Sequence, residues 1–87
     1  MKDNYKKLSN LLFLLKEKSE KHSKKNIYEK DLEIIISSMK KTSQIIGGRV
    51  LKKFLKLEIA YYKFLDDLKF DVFLENCIDL KNELWEI

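Results

Sequence analysis

The sequence predicts an all-α protein, a small antiparallel four-helix bundle, and three observations carry that prediction. Proline is absent from all 87 residues. The only two glycines, Gly47 and Gly48, stand side by side, whereas a β-rich chain of this length draws on Gly, Pro, Asn and Asp for many turns. Apolar residues return every three or four positions along most of the chain, among Leu, Lys, Ile and Glu residues that favour helix. The length suits one domain over 1–87, close to the size at which a single core is only just sufficient.

Four segments follow, roughly 4–22, 27–46, 49–68 and 71–86. In the first, Tyr5, Leu8, Leu11, Leu12 and Leu15 share a face, while Phe13 and Leu14 lie off it. A helix apolar on more than one side touches more than one neighbour. The polar run "KEKSEKHSKKN" should contain the first helix's end and leave His22 exposed. The second helix has a start signal in Asn26 as N-cap with Glu29 three residues on, a capping-box pattern. Tyr28, Leu32, Ile35, Ile36, Met39 and Ile46 form its apolar face.

"SQIIGGRVLKKF" raises the central question of the sequence: a tight turn, or a place where an anion docks. Gly47 suits a left-handed helix end and Gly48 an N-cap, whereas a glycine pair inside one helix would cost about 2 kcal/mol relative to alanine. The third helix carries apolar residues over an arc of about 180°, wide enough for a central helix. Past Lys69 the stripe changes side to Phe70, Phe73, Cys77, Leu80, Leu84 and Ile87. That switch predicts a break near Lys69–Asp71, with Asp71 as N-cap. The alternative is three helices, the last one long, assembled as a dimer.

Charge is unevenly spread. Residues 1–30 hold nine lysines against four acids, residues 31–63 seven cations against three acids, and residues 64–87 two lysines against seven acids, within a net +4. Arg49, Lys52, Lys56 and Lys63 fall within about 60° on the third helix, with Lys53 beside them and Lys40 and Lys41 at the end of the second. Cations in a first helical turn oppose the macrodipole, and an anion there would relieve the conflict. The cluster is therefore a candidate partner or anion-binding face, and nucleic acid the alternative to a protein partner. It lacks both a Walker-type glycine spacing and the usual base-reading side chains. Asp67, Asp71, Glu75, Asp79 and Glu83 recur every four residues as an acidic interaction face. Like charges so spaced cost about 0.2–0.5 kcal/mol per pair unless something positive faces them. The first helix, a second copy or a basic partner could supply it.

Glu58 falls inside the apolar arc and should be paired, by a tyrosine hydroxyl or a lysine of the first helix, or sit at a seam. Phe13, Tyr62 and Trp85 are candidate aromatic anchors for another chain. One cysteine and one histidine allow neither an internal disulfide nor a soft-ligand metal site, and no catalytic constellation or cofactor motif is present. No signal peptide or membrane span is expected, since the apolar run Leu11–Leu15 is far below the ~20 residues a span requires. The expectation is a cytoplasmic, non-catalytic protein that binds a macromolecule as a regulator, inhibitor or subunit, with self-association as one form of that binding. A membrane-surface role for the lysine face is weaker, because the apolar arc is wanted for the core.

Overall fold

The structure, a computed structural model, describes residues 2–85. It holds four helices and no strand among the described residues: α1 (Lys2–Lys25), α2 (Glu29–Ile46), α3 (Gly48–Asp67) and α4 (Phe70–Trp85). Each helix packs on two neighbours, in the ring order α1–α2–α3–α4 and back to α1. Connections this short force successive helices to reverse direction, the geometry of an up-down bundle. The bundle's 36 Å length is that of α1, since 24 residues at a rise of about 1.5 Å each span that distance. No helix among the described residues is long and apolar enough to cross a membrane.

The core is one continuous cluster. Leu8, Leu12 and Leu15 of α1 meet Leu32, Ile36 and Met39 of α2, Phe54, Leu57 and Phe64 of α3, and Phe73, Cys77 and Leu80 of α4. Phe64 and Phe73 stack at 5.0 Å, and Phe70 packs edge-on to Phe64 at 6.1 Å. Each such side chain contributes about 1.5–3 kcal/mol through burial. In a ring no helix is central, so the expectation that α3 would be surrounded fails. Its wide arc is buried on one side only, at Val50, Phe54, Leu57, Tyr61 and Phe64, and leaves Leu55 and Tyr62 exposed.

Two boundaries differ from the sequence reading, each for a local reason. α1 ends inside the polar run, as expected, but at Lys25, three residues past the expected 22, because Ser19 and His22 continue the buried stripe of Leu8, Leu12 and Leu15. His22 is 1% exposed rather than solvated. Its Nδ1 accepts the Tyr28 backbone N–H at 3.0 Å, and its ring meets Phe64 edge-on at 5.9 Å. Asn26 is not the N-cap of α2: at φ +54 it ends α1, donating its backbone N–H to the His22 carbonyl at 2.7 Å. Tyr28 precedes α2 without a side-chain cap, and His22 satisfies its backbone donor instead.

Between α3 and α4 the chain does break, which excludes a long third helix. Leu68 adopts φ +55 and donates its N–H to the Phe64 carbonyl at 2.8 Å. Asp67 Oδ1 accepts the Lys69 N–H at 2.9 Å, so the turn uses Asp67. Asp71, expected as N-cap, lies in the first turn of α4, where an acid still favours the helix dipole. The proposed extension to Glu86 and the stripe position Ile87 lie outside the described residues.

Candidate functional site

The glycine pair makes a turn. Gly47 has φ +71 and ψ −160, a region open essentially to glycine alone, and it both closes α2 and precedes α3. Gly48, expected as N-cap, is instead the first residue of α3, with φ +56. A single residue thus reverses the chain, and the Gly47 N–H donates to the Ser43 carbonyl at 2.7 Å.

The basic cluster after this turn does not stand free. Arg49 Nε lies 3.3 Å from Glu83 Oε1, and Lys53 Nζ lies 3.2 Å from Asp79 Oδ2. Two acids of the stripe, Asp79 and Glu83, are therefore answered by α3 of the same chain. Glu83 is 8% exposed, so its ion pair closes over the apolar seam between the two helices. Lys52 and Lys56 line a shallow hollow with Arg49 and Lys53 and face solvent. Lys63 lines a different hollow with Asp67 and Lys69, at the far end of the α3–α4 seam. Lys40 and Lys41 do not join either group: Lys41 is exposed, and Lys40 reaches across to α3. Asp71 and Glu75 are exposed on α4. Seven candidate cations thus divide among four places.

Glu58 is paired as its place in the apolar arc demanded, though by α2 rather than α1. Its Oε2 lies 3.4 Å from Lys40 Nζ, with the Glu58 side chain 16% exposed. Around this pair an open cleft of about 350 Å³ lies between α2 and α3, lined among others by Glu29, Glu33, Tyr61 and Tyr62. Burial pushes the Tyr61 hydroxyl up to about 12, and Tyr62, Glu33 and Glu29 add to the shift. Sequence spacing could have placed Glu29 and Glu33 on one face, but not opposite Tyr61, which depends on how α2 and α3 dock.

The three candidate anchors are all exposed: Phe13 by 65%, Tyr62 by 59% and Trp85 by 78%. Two of them converge. Phe13 and Trp85 line one groove between α1 and α4, with Leu12 beneath and Lys16 and Lys81 beside them. On the other side of Phe13 a second hollow is lined by Phe70, Leu74, Glu17 and Glu20. Phe13 is thus a ridge between two depressions on the same face. On α4, Leu74, Ile78, Lys81 and Trp85 follow at intervals of four, three and four, so the half-exposed Ile78 belongs to the same stripe. Tyr62 lies apart, in the α2–α3 cleft.

Cys77 is buried, and burial pushes its thiol up to about 12, which leaves it unreactive as a nucleophile. No group of three or more His, Cys, Asp or Glu residues able to hold a metal occurs among the described residues. No protein-family model matches this chain, and neither a curated protein nor a solved structure matches it.

Proposed function

We propose that this chain is a non-catalytic binding protein that holds a protein partner against the α1–α4 face and so acts as a regulator, inhibitor or complex subunit. The observation that carries this reading is the convergence of Phe13 and Trp85, from the neighbouring helices α1 and α4, on one groove. Scattered exposed apolar side chains are ordinary, but two large aromatics converging on one groove, with Leu74 and Ile78 further along the same α4 face, favour an interface. Trp is among the residues most enriched at binding hot spots, and the core of such a patch is depleted in charge. Lys16 and Lys81 at the edge of the groove favour a partner segment that is apolar with an acidic flank. A cytoplasmic site of action belongs to the same reading.

A nucleic-acid-binding protein centred on Lys52 and Lys56 is the alternative. It draws on fewer cations than the sequence offers, because Arg49 and Lys53 are engaged by Glu83 and Asp79. Site-specific photo-crosslinking tests the first reading. A benzophenone side chain placed at residue 13 should capture a discrete protein adduct in cells that express the chain, and one placed at exposed Lys30 on α2 should not. The same adducts at both positions, or none at residue 13, would refute it.

A further inference from the structure

On the opposite edge of the bundle, we infer that the α2–α3 cleft is a binding site for an organic cation, a guanidinium or alkylammonium group held between Glu29, Glu33 and the two tyrosines. This site is independent of the α1–α4 face and does not rest on the role proposed for it.

Three observations support the assignment. The cleft lies open between two helices and holds about 350 Å³, within the range of about 300–1,000 Å³ typical of small-ligand sites. Its charge is unbalanced. Glu29, Glu33 and Glu58 line it, and Lys40 is the one cation among the lining residues, committed to Glu58 at 3.4 Å. Glu29 and Glu33 make no ion pair among the described residues, and their spacing of four along α2 makes them repel. Tyr61 supplies the second kind of evidence. It is 2% exposed and lines the cleft, yet its hydroxyl makes no hydrogen bond among the described residues. The hydroxyl is not among the fully buried atoms that lack a partner, so it opens into the cleft and is available to whatever enters it.

A cation would answer all three. Its N–H groups would donate to the Glu29 and Glu33 carboxylates, charge-assisted bonds of the stronger kind, and to the Tyr61 oxygen. The Tyr61 and Tyr62 rings, 5.2 Å apart and inclined at 59°, form an aromatic corner, and half-exposed Tyr62 offers a ring face for cation–π contact. Because the Tyr61 hydroxyl keeps its proton to about pH 12, it accepts through its lone pairs without adding a negative charge.

The test is a ¹⁵N–¹H correlation titration of the full chain with two probes, spermidine and the blocked tripeptide acetyl-Gly-Arg-Gly-amide. Saturable shifts are expected at Glu29, Glu33, Ser37, Tyr61 and Tyr62, with half-saturation on the order of 1 mM or below. The double change Glu29→Gln with Glu33→Gln should weaken binding at least about tenfold, and Tyr62→Ala by a smaller factor, while the spectra themselves show that the variants stay folded. Tighter binding of spermidine would identify a free polyamine as the source of the cation. Tighter binding of the tripeptide would identify an arginine on another chain. The inference is overturned if neither probe gives saturable shifts, if the shifts spread equally to Asp71 and Glu75, or if the glutamine variant binds as the parent does.

Discussion

Replacing Gly47 by alanine separates backbone geometry from side-chain packing more cleanly than any other change in this chain. A Cβ built at Gly47 meets nothing within 4 Å, so no clash contributes. What remains is the conformation itself, φ +71 and ψ −160, which costs a non-glycine residue about 1–3 kcal/mol. Alanine also restricts the unfolded chain, which returns about 0.4–1 kcal/mol. The net loss is then about 1–2 kcal/mol, which for a domain of this size lowers Tm by roughly 5–15 °C. Gly48 serves as the internal control. Its φ of +56 also has open space around it, and asparagine tolerates the left-handed region, so Gly48→Asn should change stability by no more than about 0.5 kcal/mol. Urea unfolding followed by far-ultraviolet circular dichroism measures both, and an unchanged m-value would show that the denatured state is not the source. If Gly47→Ala costs less than Gly48→Asn, the one-residue reversal does not depend on glycine and the account of the turn is wrong.

Other residues give equally direct expectations. His22→Leu should destabilise by about 2 kcal/mol, because the Tyr28 N–H loses its acceptor and Phe64 loses the ring packed edge-on against it, whereas His22→Asn, which keeps an acceptor, should cost less; equal costs would mean that the hydrogen bond does not hold the α1–α2 turn. Stability should fall as pH rises from about 9 toward 12: the folded state keeps its proton on Cys77 and Tyr61 while the unfolded chain releases it, so each unit of pH favours unfolding, and Cys77→Ala should flatten the decline. Lys53→Glu should cost up to about 1 kcal/mol through Asp79, while Lys52→Glu and Lys56→Glu should be near neutral, and labelled duplex DNA should bind weakly to the parent at physiological salt; tight binding with a steep salt slope would instead favour the nucleic-acid reading.

Periodicity carried the helices because burial and sequence spacing report the same physics. The change of stripe between Leu68 and Phe70 located the α3–α4 break, and the glycine pair located the α2–α3 turn. The ends were less legible where a side chain outside the helix decided them. Asn26 followed by Glu29 has the pattern of a helix start, but its left-handed backbone ends the preceding helix, and the donor at the start of α2 is met by His22 from six residues away. His22 itself read as solvent-facing because its neighbours are lysines, although its spacing from Leu15 and Ser19 is that of a buried face. Pairings between helices were hidden for a different reason. The four-residue recurrence of Asp79 and Glu83 said that something positive should face them, but only the ring order of the helices shows that it is Arg49 and Lys53. The same holds for Phe13 and Trp85, each recognisable as an anchor, whose meeting depends on α4 closing the ring against α1.

The chain's one tryptophan permits the most direct test of the proposed binding face. Uniform labelling with 5-fluorotryptophan gives a single ¹⁹F resonance from Trp85, which in dilute buffer should report a solvated ring. In intact cells expressing the chain, an occupied α1–α4 face should shift or broaden that resonance, and Phe13→Asp should return it to its position in buffer. A resonance that is the same in cells and in buffer, or one that shifts equally in the Phe13→Asp variant, would contradict the assignment of this face as the binding surface.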